Sequence, residues 1–123
     1  MKLVRLLCLG ALAAGLGCGS KSSTGTVTPP GPGADEVWMQ SSAFVPATRT
    51  VSVGTMVTFT NKDGVTHTVT SSSVPGGAAA ISSGNITGSG TFQRTFSVAG
   101  SYQYYCTIHG SPGAGMRGTI TVN

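Results

Sequence analysis

Acidic side chains are almost missing from this chain: it has three Asp and Glu in 123 residues, against seven Lys and Arg. From residue 36 onward only Glu36 and Asp63 remain, which leaves little material for acid–base catalysis. The basic residues of that region, Arg49, Lys62, Arg94 and Arg117, stand singly. With no basic run among them, nucleic-acid binding has no support, and the net charge of +4 serves solubility. Cysteine is just as scarce. Of the three, Cys8 and Cys18 lie near the N-terminus, so Cys106 has no partner for a disulfide within a folded domain. A domain this small then needs another constraint, either a metal or a closed β core. A lone thiol is either an inert small hydrophobe or a metal ligand.

The N-terminal third is organised for export. Lys2 and Arg5 precede an apolar run through Leu6, Leu7, Leu9, Ala11, Leu12, Ala13 and Ala14, followed by small residues, which is the layout of a secretory signal. The run is too short to span a membrane. Ala14-Gly15-Leu16-Gly17-Cys18 resembles a bacterial lipobox, whose final cysteine receives a diacylglycerol and becomes the mature N-terminus. Leu16 stands one place later than the usual leucine, so ordinary signal cleavage nearby is the alternative. Residues 1–18 are therefore expected to be a signal segment, 19–35 a Ser/Thr/Gly/Pro tether with Val27 as its only large apolar residue, and 36–123 the folded domain.

From Glu36 on, the pattern is β throughout. Val51, Val53, Val57 and Phe59 share one parity about Gly54, Val65, His67 and Val69 share another, and Tyr102, Tyr104 and Cys106 a third, with Ile120 and Val122 closing the chain. Met39 and Met56 are expected in the core. Turn signals fall at Asn61-Lys62-Asp63-Gly64, Pro75-Gly76-Gly77, Gly88-Ser89-Gly90 and Ala99-Gly100. No segment has helical periodicity, so the prediction is an all-β Greek-key sandwich or barrel of about seven or eight strands. Arg94 shares parity with Phe92 and Phe96, which requires a bulge or an edge position there.

The candidate chemistry lies in Cys106-Thr107-Ile108-His109-Gly110-Ser111-Pro112-Gly113-Ala114-Gly115-Met116, expected as a strand end and a Gly-rich loop before a last strand starting near Arg117. The only other histidine, His67, belongs to a strand expected alongside it. Taken singly, His67 is a strand histidine, His109 a solvated loop residue and Met116 a core filler. Together, two imidazoles, one thiolate and a weak thioether form the ligand set of a blue-copper electron-transfer site.

Phe44-Val45-Pro46, the stretch Val51 to Asn61, the His67 segment and Gly100-Ser101-Tyr102-Gln103-Tyr104-Tyr105-Cys106-Thr107-Ile108-His109 resemble the plastocyanin and pseudoazurin branch of the cupredoxins. So does the closing Gly115-Met116-Arg117-Gly118-Thr119-Ile120, and the likeness covers nearly all of 36–123. By that resemblance one copper ion is held by His67, Cys106 and His109 in the equatorial plane and by Met116 on the axis. Asn61 is expected to hydrogen-bond between the two ligand-bearing segments. Electrons would pass at the exposed His109 edge with Pro112 and Ala114, and by a second route at Tyr105. The connection from His109 to Met116 is longer than is usual in the family, which bears on the axial bond.

The implied function is a one-electron carrier, a monomer exported to the periplasm, outer membrane or cell surface and lipid-anchored at Cys18. Its expected partner is a cytochrome or a copper oxidase or reductase, met through an apolar end because acidic docking residues are lacking. Copper sequestration or delivery is the first alternative, and a structural surface lipoprotein with zinc or no metal the second. The shortage of bases and of a third histidine predicts that the chain is not an enzyme.

Overall fold

The computed structural model describes residues 30–123. The expected signal segment, Cys18 and most of the tether lie outside the described residues. Eight strands follow in order: β1 (Glu36–Gln40), β2 (Ala43–Val45), β3 (Thr48–Val51), β4 (Thr55–Asn61), β5 (Thr70–Ser73), β6 (Thr91–Phe96), β7 (Gly100–Ser111) and β8 (Ala114–Val122). They make two four-stranded sheets, ordered β2-β1-β4-β6 and β3-β8-β7-β5. Each sheet is mixed: β1 runs parallel to β4 and β3 parallel to β8, and the other pairs are antiparallel. The all-β sandwich of about eight strands is what the alternating pattern predicts.

Alternation explains which faces meet. In β4, Val57, Phe59 and Asn61 are buried, and in β7 Tyr102, Tyr104 and Cys106 are, while Gln103 is exposed. Aromatic edges join the two sheets: Tyr104 of β7 meets Phe44 at 4.7 Å and Phe59 at 5.4 Å between ring centroids, both nearly perpendicular. Tyr102 packs on Phe96 at 4.8 Å and its hydroxyl donates to the Val98 carbonyl at 2.7 Å. That bond locks the β6–β7 corner, so Tyr102→Phe is expected to cost about 1 kcal/mol, read from the midpoint of urea unfolding.

Arg94 lies opposite Val57 on β6, an edge strand, and its guanidinium donates to the carbonyls of Ala79 and Ala80. An edge position, rather than a bulge, accommodates the charge.

Three expectations need correction. Val65, His67 and Val69 do not form a strand; His67 makes a single bridge to Ile86, and Val65 is exposed. Asn61 draws residues 61–67 into a tight loop through bonds to Val65 and Asp63, which breaks the alternation. Val53 is about half exposed because it lies in the turn that Gly54, with φ +88°, makes between β3 and β4, and Met56 because it alternates with the buried Val57 and Phe59 on β4. Met39 is buried.

Candidate metal centre

At one end of the sandwich the β7–β8 hairpin and the 61–69 loop meet. Two features of the hairpin set the geometry. The register pairs Tyr105 with Arg117 but Gly110 with Gly115, so Cys106, Thr107, Ile108 and His109 bulge opposite Met116 alone. The turn itself is Ser111-Pro112-Gly113-Ala114, where Pro112 presets one φ and Gly113 takes φ +81°. The ligand segment is thus a hairpin with β7 continuing through Ser111 and β8 starting at Ala114, rather than a loose loop before a strand near Arg117.

The bulge turns the Cys106 and His109 side chains toward His67. His67 Nδ1 lies 3.1 Å from His109 Nδ1, and Cys106 Sγ lies 3.8 Å and 3.6 Å from them respectively. The point equidistant from these three atoms is about 2.0 Å from each, within the roughly 2.0–2.3 Å that imidazole nitrogen and thiolate sulfur keep from a bound metal ion. His67 and Cys106 are fully buried and His109 is exposed. His67 Nε2 is committed on its far side to Asp63 Oδ2 at 2.7 Å, which leaves the Nδ1 lone pair facing the centre. Converging lone pairs on two nitrogens and a sulfur, with no carboxylate among them, match a soft or borderline cation and fit copper.

Cys106 is prepared as a thiolate. Burial alone pushes the thiol up, but the Thr68 N–H, the His67 imidazole, the Ile108 N–H and the His109 imidazole outweigh it and bring it down to about 6, from the ordinary 9.0. The sign follows: a lowered folded-state value stabilises the metal-free fold above about pH 9, and that contribution is lost as the pH falls through about 6. The metal-free chain is expected to show its thiolate ultraviolet absorbance appearing near pH 6, with unfolding resistance rising from there toward pH 9.

Met116 is buried on β8 in the same apolar cluster as Cys106. Asn61 is placed differently from the expectation. Its Nδ2 donates to the carbonyls of Val65 at 2.7 Å and Ile86 at 2.9 Å, and its Oδ1 accepts from the Asp63 N–H, all on the His67 side. The bonds between the two ligand-bearing segments come from Thr68. Its N–H donates to Cys106 Sγ at 3.4 Å, its Oγ1 accepts from the Thr107 N–H at 2.8 Å, and the two threonine hydroxyls pair at 3.0 Å. The one sequence signal for Thr68 is that it adjoins His67, and Thr66 shares it. Pro112 and Ala114 are exposed and Tyr105 is half-buried; Ile108, beside His109, and Val65, two residues before His67, are exposed apolar side chains as well.

Fold and donor set together define a mononuclear copper protein of the cupredoxin class. A family model for copper binding proteins, the plastocyanin/azurin family, matches residues 34–123, and the chain belongs to that family. It is similar to plastocyanin B'/B'' of Nicotiana tabacum, 40% identical over an alignment of 89 residues, with 66% of this chain and 88% of that protein covered. Among solved structures it is similar to an oxidised amicyanin variant, with TM-score 0.63, 31% identity and coverage of 74% of this chain and 83% of that one. It is also similar to the copper-containing nitrite reductase of Thermus scotoductus, with TM-score 0.64 and 27% identity; 78% of this chain is covered, but only 23% of the reductase.

The reductase corrects one expectation. The expectation of no enzymatic activity rests on few acid–base groups and the lack of a third histidine, yet the same fold at 27% identity forms part of a copper enzyme. Scarcity of bases in this chain therefore does not separate carrier from enzyme.

Proposed function

We propose that the chain carries single electrons, with one copper ion held by His67, Cys106 and His109 and capped by Met116. Copper bound there supplies the one-electron Cu(II)/Cu(I) couple. The observation that carries this reading is the triangle of Nδ1, Sγ and Nδ1 atoms with edges of 3.1, 3.6 and 3.8 Å. Cys106 and His109 are anchored in a hydrogen-bonded hairpin and His67 in a loop pinned by Asn61 and by its bridge to Ile86. Ligands held this firmly by the chain have little freedom to rearrange when an electron arrives or leaves.

His109 provides the route for the electron, because it is the exposed ligand and the hairpin that carries it also exposes the apolar residues Ile108, Pro112 and Ala114. A partner with a matching apolar face, a cytochrome or a copper oxidase or reductase, fits this end better than one that demands acidic contacts. Tyr105, beside Cys106, offers a second path. Export, the domain limits at 36–123 and lipidation of Cys18 complete the proposal, supported by the charged start, apolar run and Pro-rich tether of the sequence.

Repeated reduction and reoxidation in the presence of a Cu(I) chelator tests the assignment. A carrier keeps its copper over many cycles and shows one reversible one-electron wave. Surrender of copper to the chelator on the first reduction would instead identify a delivery protein.

A further inference from the structure

Asp63 is one of three acidic residues in the whole chain, and the fold holds it with more contacts than an ordinary surface carboxylate receives. Its Oδ1 accepts the Ser41 N–H at 2.7 Å, and its Oδ2 accepts both the Ser42 N–H at 3.0 Å and the His67 Nε2–H at 2.7 Å. Its own N–H donates to Asn61 Oδ1 at 2.8 Å. Ser41 and Ser42 are the two turn residues between β1 and β2, where Gln40 pairs with Ala43, and both have φ +55°. Two-residue turns of this kind normally use Asn and Gly, because other residues are strained in the left-handed region. The two serines instead present successive N–H groups to one anion, a nest that holds a carboxylate in place. Strain kept in a turn whose N–H groups converge on a single side chain points to a task for that side chain.

We infer that Asp63 is a positioning residue for the copper site: clamped by the Ser41–Ser42 turn, its carboxylate fixes the His67 ring with Nδ1 inward and favours Cu(II) over Cu(I). The inference rests on the copper reading above. A carboxylate accepting from the outer nitrogen of a metal-bound imidazole makes that ring a stronger donor. It also places a negative charge one imidazole away from the ion. Both effects favour the more highly charged oxidation state, so Asp63 lowers the reduction potential. His109 has no carboxylate partner among the described residues, and the two imidazoles are therefore unequal donors.

The test is Asp63→Asn in the copper-loaded full chain, with Glu36→Gln as a control that removes a carboxylate outside the site. Asp63→Asn is expected to keep the visible thiolate band while its Cu(II)-over-Cu(I) preference falls at least tenfold, a rise of about 59 mV in midpoint potential. Glu36→Gln is expected to stay near the wild type. A folded, coloured Asp63→Asn protein with the wild-type potential would overturn the inference, whereas a wild type without the band would sink the copper reading itself. Should the variant not fold, NMR of the wild-type Cu(I) protein decides. A His67 Nε2 proton that exchanges slowly and resonates downfield supports the clamp; an Nε2 without a proton, or one exchanging freely with solvent, overturns it.

Discussion

Cys106→Ser is expected to abolish the intense visible band of the Cu(II) protein and to weaken copper binding roughly a hundredfold or more, because an outer-shell change alone costs about 10–100-fold. The argument is electronic as well as geometric. Of the three converging donors only Cys106 supplies a sulfur whose thiolate form is already favoured near pH 6 and above. A serine hydroxyl at the same place stays protonated and makes a hard, weak ligand. The fold itself should survive. Cys106 accepts the Thr68 N–H, a bond that an oxygen can also take, and the residue is small, so about 1–2 kcal/mol of stability is at stake. Circular dichroism and unfolding of the variant separate loss of the site from loss of the fold.

Gly115→Ala is expected to cause the largest structural damage of any single added methyl group near the site. Gly115 has φ +69°, and a Cβ there would sit 2.7 Å from the His109 carbonyl oxygen and 2.9 Å from Gly110 Cα. Both obstacles are backbone of the facing strand, so no side-chain rotation relieves them. Strain in the left-handed region and the clash together are expected to cost about 2–3 kcal/mol. The damage is local, because the paired strand must move away and takes His109 with it. Copper affinity should therefore drop even where the domain remains folded at room temperature. Gly110→Ala provides the matching test from the other strand, where a Cβ would meet the Met116 N and O at 2.7 Å each.

These glycines also show what a sequence conveys and what it does not. The fold class was legible because alternation is a one-dimensional signal: Tyr102, Tyr104 and Cys106 are buried with Gln103 outside them, as their parity requires. The candidate donors were legible because two histidines and, from residue 36 onward, a single cysteine leave few choices. The four-residue bulge opposite Met116 was not legible. It depends on a register shift in a long hairpin, and register is fixed by pairing between residues distant in sequence.

Polar support was the least legible part. By its place in the sequence Asn61 reads as the link between ligand-bearing segments, yet its amide ties the His67 loop to itself and to Ile86, and Thr68 makes the cross-link to Cys106 and Thr107. Nothing in a Thr-rich β pattern distinguishes Thr68 from Thr66 or Thr70 until Cys106 and Thr107 are placed beside it. Asp63 was similarly disguised: a turn signal of Asn, Lys, Asp and Gly explains an aspartate without any contact to His67. Val65 departs from its pattern for the converse reason: its apparent strand period runs across a loop that hydrogen bonds draw away from the sheet.

The visible absorption spectrum of the Cu(II)-loaded protein, taken before and after ascorbate, bears most directly on the central claim. One equivalent of copper should produce an intense thiolate-to-copper band that bleaches on reduction, returns on reoxidation and is missing in Cys106→Ser. A protein that binds copper without colour, or whose colour persists in Cys106→Ser, would contradict the assignment of His67, Cys106 and His109 as a single electron-carrying copper site.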